Sequence, residues 1–225
     1  MDIVEESTYR DRELIFKDRL HAGELLAEKL RPRVKNLQIL AIPAGGVPVA
    51  YTVAKILGAP FDVMVVRKIQ IPWNTEAGFG AVTWDGTVIL NEPLVAQLGL
   101  SDEVVQQCVA RTRQMVEVRL KRFRGERPLP DLRGRRVVLI DDGLASGFTM
   151  LAAVKSVKGQ SPNEVTVAVP TASLGAVELL APNVDRLVCL NIRGGSIFAV
   201  ADAYRNWYDL TDEEVMKYLR QPSQV

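Results

Sequence analysis

Hydrophobic residues along this chain fall into two kinds of run. Short blocks at 37–42, 61–66, 136–140, 165–169 and 186–190 are apolar with little alternation. Continuous apolar runs of that length suit strands covered on both faces. Between them, apolar residues recur every three or four positions, the spacing of helices with one buried stripe. The first such stretch is 10–31, with Leu14, Ile15, Leu25, Leu26 and Leu30 on the stripe and Pro32 to stop it. Others cover 47–57, 150–158 and 173–180, and a long one follows Ser101. In that long helix, 101–124, Ser101 is placed to cap, Asp102 and Glu103 meet the positive end of the dipole, and Arg119, Lys121, Arg122 and Arg124 meet the negative end. Residues 87–91 read as one more short strand. The segment 69–86 holds Pro72, Trp73, Asn74, Gly78, Gly80 and Gly86 and reads as a long, mobile loop. Strands alternating with helices predict an α/β fold with a doubly wound parallel sheet.

Composition narrows the class. With 225 residues, 48% of them apolar, and a net charge of +1, a single globular domain has ample core. Near-neutral charge argues against general nucleic-acid binding, which leaves a basic imprint. Cys108 and Cys189 fall inside expected helix and strand, as reduced buried thiols do. The start, Met1-Asp-Ile-Val-Glu-Glu6, lacks a basic and then apolar leader, and no apolar stretch is long enough to span a bilayer. The expectation is a cytoplasmic protein with no membrane partner. The one histidine, His21, sits in the first expected helix, far in sequence from Ser146 and both cysteines. Triad chemistry and structural zinc are therefore not expected.

Candidate chemistry concentrates after the strand Val137-Val-Leu-Ile140. Asp141 and Asp142 follow at its C-terminal end, then Gly143, Leu144, Ala145, Ser146, Gly147, Phe148 and Thr149, before a helix. A small-residue loop between strand and helix turns several N–H groups to one point and adds the helix dipole, which suits a phosphate. The two carboxylates would repel a bare anion, so they should hold sugar hydroxyls or a magnesium ion. A phosphorylated ribose satisfies both demands. No Gly-Lys-Ser/Thr follows the loop and no Gly-x-Gly-x-x-Gly follows a strand, which excludes Walker and dinucleotide sites. A second strand-to-helix loop, Pro43-Ala-Gly-Gly-Val-Pro48, has the same place relative to the sheet, and ligands of open α/β sheets collect outside such strand ends. Arg67 and Lys68 end a strand on that side.

The stretch 137–149 resembles the phosphoribosyl-pyrophosphate motif of type I phosphoribosyltransferases. The resemblance extends over about residues 10–220 and is nearest to a little-characterised subgroup known only as predicted phosphoribosyltransferases. It implies the type I fold over the whole chain, 1–225: a five-stranded parallel core at about 33–192 and a small hood from 1–32 and 193–225. It implies displacement of pyrophosphate from phosphoribosyl pyrophosphate by a nitrogenous base or amine. Asp141 and Asp142 would then hold the ribose hydroxyls and offset charge on the sugar ring, and residues 143–149 would take the 5′-phosphate. Ala44, Gly45, Gly46, Arg67 and Lys68, with magnesium, would steady the pyrophosphate. Ala44 departs from close relatives, which carry arginine there, and removes a charged contact worth about 1.5–3 kcal/mol. The 69–86 loop sits where the family keeps a lid, with Trp73 or Glu76 able to reach substrate. Phe198, in the aromatic segment 196–208, falls where purine enzymes stack the base, although Arg205 replaces their base-proximal aspartate. A homodimer is the family default. Two further readings use the same pocket: a non-catalytic protein that senses phosphoribosyl pyrophosphate or a nucleotide, and a hydrolase or phosphorylase of phosphorylated ribosides.

Overall fold

The computed structural model describes residues 2–31, 35–195 and 198–221. Its centre is a six-stranded sheet in which every neighbouring pair is parallel. In chain order the strands are β1 (Asp2–Val4), β2 (Leu37–Ala41), β3 (Phe61–Val63), β7 (Arg136–Ile140), β8 (Glu164–Ser173) and β9 (Arg186–Arg193), arranged β1-β9-β8-β7-β2-β3. β2 and β9 are buried along their whole length, and β7 from Val137 onward. This is what the non-alternating apolar runs require. Three more strands, β4 (Val66–Ile71), β5 (Asn74–Thr83) and β6 (Val88–Leu90), form a separate antiparallel sheet.

The helices are α1 (Arg19–Leu30), α2 (Gly46–Leu57), α3 (Glu92–Gln97), α4 (Asp102–Arg124), α5 (Phe148–Lys158), α6 (Leu174–Leu180) and α7 (Asp212–Arg220). α1 packs on α2, while α5 lies between β7–β8 and the β4–β5 pair. α4 covers β4 and β5 and meets α7. Ser101 caps α4 as its sequence demands. Cys108 and Cys189 are free thiols; burial pushes the Cys189 thiol up to about 12. Among the described residues no helix is long and apolar enough to cross a membrane.

Four expectations change. The parallel sheet has six strands, because residues 2–4 add β1 beside β9, where five were expected. The first helix starts at Arg19, not residue 10. Asp18 caps it by accepting from the His21 N–H, and Asp11 and Leu14 hold positive φ, which no helix continues through. The backbone of 14–17 instead pairs with the C-terminal segment: Leu14 and Phe16 N–H donate to Asp202 and Ala203 carbonyls, and Arg205 and Asn206 N–H donate to Phe16 and Lys17. The expected loop 69–86 is mostly the β4–β5 hairpin. Its antiparallel pairing carries register shifts between Ile69 and Ile71, and such bulges erase the two-residue period a sequence reading relies on. The strand expected at 61–66 divides at Met64-Val65 and feeds both sheets.

Candidate functional site

β7 and β2 are neighbours in register, Ile140 beside Ala41, so the loops that follow them open side by side at one end of the sheet. Both lead into a helix, α5 and α2. The two loops are built differently.

After β7, the Asp142 N–H donates to Asp141 Oδ1 at 2.8 Å. Asp142 turns inward. Its Oδ2 accepts from Arg19 Nε at 2.9 Å, its carbonyl accepts from the Tyr204 hydroxyl at 2.6 Å, and only 13% of its side chain remains exposed. Arg19 is itself held: Nη1 donates to the Tyr208 carbonyl at 2.9 Å and the guanidinium lies 3.9 Å from the Trp207 ring centre. Such a stacked cation is a geometry only arginine supplies well. Asp141 has no cation in direct contact. Burial, then the charge of Asp142, push its carboxyl well above the ordinary 3.8, while Arg19 pulls the other way. Two carboxylates this close disfavour joint ionisation. Burial and the charge of Asp142 likewise raise the Tyr204 hydroxyl, keeping it a donor.

The loop that follows is short of protein partners. Leu144 N–H donates to Thr171 and Leu144 carbonyl accepts from Ser173, tying the loop to β8. Among the described residues the N–H groups of Ala145, Ser146, Gly147, Phe148, Thr149 and Met150 find no protein acceptor. Ala145 and Ser146 are exposed. Gly147, the residue before α5, has φ 76°, where a side chain would be strained. Open amides at a helix N-terminus favour an anion.

The loop after β2 is tighter. The Gly46 N–H donates to Ile42 and the Val47 N–H to Ala44, leaving only Ala44 and Gly45 amides open. The Pro43–Ala44 peptide is cis. A Cβ on Gly45 would overlap the Asp142 carboxylate, so the space a ligand group might take is filled by that side chain. Arg67 and Lys68 do not end a strand of the parallel sheet, as expected, but sit within β4 of the antiparallel sheet, because the chain leaves β3 at Val63; Arg67 is half-buried and Lys68 exposed. Both line a cleft of about 220 Å³ with Arg111 and Cys108 of α4. Trp73 is exposed at the hairpin turn; the Glu76 side chain lies outside the described residues, as do Ser196 and Ile197. Phe198 is half-buried and follows directly.

Arg19 and Tyr204 were missed by sequence reasoning. Arg19 looked like one more helix-face charge, and its partner lies 123 positions away. Trp207 and Tyr208 of the aromatic segment lie over Arg19, with Tyr208 54% exposed. The cations ending α4 do more than answer its dipole. Arg119 binds Asp212 at 2.8 Å, Arg122 binds Asp212 and Glu213, and Arg124 binds Asp62. Among the described residues no three His, Cys, Asp or Glu side chains converge as a metal site.

Comparison with known proteins agrees with this geometry. Residues 17–194 match the family model described as a phosphoribosyl transferase domain. A protein found in two strains of Mycobacterium tuberculosis, provisionally named a phosphoribosyl transferase, is 39% identical over 208 residues. That match takes in 91% of this chain and 46% of the relative, so the chain spans about half the length of the curated relatives it matches. The crystal structure of TT1426 from Thermus thermophilus is 39% identical and superposes with a TM-score of 0.77, covering 92% of this chain and 98% of that one.

Proposed function

The chain belongs to the phosphoribosyl transferase domain family, and from that premise we propose that it moves ribose 5-phosphate from phosphoribosyl pyrophosphate to a nitrogenous base or amine, releasing pyrophosphate. The observation that carries this reading is the β7–α5 junction. There a partly exposed Asp141 stands beside six open amides, a pairing of hydroxyl acceptor and phosphate cradle. In the reaction the bond between ribose carbon 1 and the pyrophosphate oxygen breaks, and a nitrogen takes its place. The amides of 145–150 and the Ser146 and Thr149 hydroxyls hold the 5′-phosphate. Asp141 accepts from a ribose hydroxyl; it ionises more readily once a bound cation or donor offsets its burial, and its charge then stabilises the electron-poor sugar ring. Asp142 keeps one oxygen on Arg19, so its part is to hold the chain-end segments over the site, with Oδ1 left for a second hydroxyl. Arg67 and Lys68 draw the pyrophosphate. No covalent intermediate is needed; positioning and fixed charge do the chemistry.

Magnesium fits this site only as a guest of the substrate. One free carboxylate, Asp141, is too few for a protein-built cage, and magnesium commonly rests on one or two carboxylates plus phosphate oxygens. It would supply charge neutralisation at the departing pyrophosphate. The half-buried Phe198 is the residue assigned to stack the acceptor, and a homodimer and a cytoplasmic setting complete the proposal.

Calorimetric titration with phosphoribosyl pyrophosphate and magnesium tests it. Wild type should bind. Ser146→Asp, which adds a charge at an exposed position of the phosphate loop, should weaken binding about tenfold or more. A wild type that does not bind, or an equal affinity in the variant, sinks the reading. Binding without turnover across an acceptor screen would make the protein a sensor of the same ligand.

A further inference from the structure

α4 places Arg111, Met115, Arg119 and Arg122 at helical spacing along one face. That face looks across at Arg67 of β4, and together they line a cavity of about 410 Å³ with Asp212 of α7. The volume is within the range of small-molecule sites. Its charge is lopsided. Four guanidiniums face one carboxylate, and that carboxylate is already engaged by Arg119 at 2.8 Å and Arg122 at 3.3 Å. Among the described residues Arg67 and Arg111 have no carboxylate partner. Burial, and then the nearness of Arg119, lower the pKa of Arg67, so the cluster is under like-charge repulsion that an anion would relieve. Arg67 is half-buried without a carboxylate partner among the described residues, and Arg111 reaches the same cavity from the exposed face of α4 without one, so the cluster carries more positive charge than its single carboxylate neutralises.

We propose that this cleft between α4 and the β4–β5 hairpin binds a ligand carrying two or more linked phosphate groups. Arginine forks match phosphate oxygens in pairs. With Arg67 on β4 and three arginines on α4, the cluster can meet linked phosphates from two walls. The tight loop after β2 strengthens the case, because Ala44 brings no cation and the Asp142 carboxylate occupies the space at Gly45. The cleft between α4 and β4 instead sets four arginines against one carboxylate. Apart from Arg67 and Lys68, no cleft residue belongs to the donor-binding set, so the inference stands whether or not the transferase reading holds.

Calorimetric titration of the full chain with sodium diphosphate tests the site, run on wild type, on Arg111→Gln and on Asp141→Asn. Arg111 lies on the exposed face of α4, so its replacement leaves the fold intact. Diphosphate should bind wild type, about tenfold or more weakly to Arg111→Gln, and unchanged to Asp141→Asn. Competition with phosphoribosyl pyrophosphate then identifies the source. Mutual exclusion makes the occupant the pyrophosphate end of that donor; simultaneous binding makes it a free polyphosphate; either upholds the site. No diphosphate binding at millimolar concentration, or equal binding by wild type and Arg111→Gln, overturns it. Diphosphate binding that persists while phosphoribosyl pyrophosphate fails to bind would count against the transferase reading alone.

Discussion

The loops after β2 and β7 are the same topological unit, strand to loop to helix, set on adjacent strands at the same end of the sheet. They differ in what fills them. The first closes the Gly46 and Val47 amides on its own carbonyls and takes the Asp142 side chain against Gly45; the second ties down Leu144 and leaves six N–H groups without a protein acceptor among the described residues. One loop receives a piece of the protein and the other is free to receive a ligand. Position in a fold therefore nominates a site, but satisfied or unsatisfied backbone groups decide whether it binds.

The contrast can be broken experimentally, starting with its anchor. Arg19→Met leaves the buried Asp142 carboxylate without its cation and should cost about 3–5 kcal/mol in denaturant unfolding. Adding Asp142→Asn to that variant should restore part of the loss, because the two groups act as a unit. Next come the glycines. Gly45→Ala must displace the Asp142 carboxylate and should cost about 3 kcal/mol by overpacking. Gly147→Ala meets backbone strain at φ 76° and a milder crowding against Ala176 at 3.3 Å, and should cost about 1–2 kcal/mol. A reversed order in the measured stabilities would mean that the first loop is not the filled one.

Asp141 sharpens the picture through pH. Its folded pKa is raised, so the native state holds a proton that the unfolded chain has released above 3.8. Stability therefore falls as pH rises from 3.8 through the raised value, and the penalty is complete above it. Asp141→Asn should melt higher than wild type at neutral pH, with the gap closing as pH is lowered toward 3.8; a gap independent of pH would refute the assignment. The smallest effect belongs to Ser146→Asp, which sits exposed in the open loop and should change stability by less than about 0.5 kcal/mol.

What the sequence made legible follows the range of the interactions. The β7 strand, its acidic pair and the small-residue loop leading into α5 could be read directly, because a non-alternating apolar run, two carboxylates and small residues are adjacent in the chain. α4 and its Ser101 cap were equally local. The hairpin was not legible: Pro72, glycines at 78 and 80 and shifted pairing conceal a strand whose partner is set by bulges rather than pattern. The start of α1 was misread because Leu14 and Ile15 extend its apolar spacing, while backbone bonds to 202–206 hold that stretch out of a helix. Arg19 was invisible for a related reason, since one cation in a charged helix gives no sign of a carboxylate on another strand. Arg119, Arg122 and Arg124 of α4 looked like dipole complement until their partners Asp212, Glu213 and Asp62 could be identified.

The pairing of 14–19 with 202–208 has a consequence in time. A ribosome finishes residue 19 long before residue 208, and domains generally fold as their chain emerges. Until the later segment emerges, Arg19 lacks both the Tyr208 carbonyl and the Trp207 ring that hold it over Asp142. A nascent chain halted at residue 195 would have its parallel sheet complete and its acidic pair unguarded. The cover over the acidic pair is thus completed only after the parallel sheet that carries the pair.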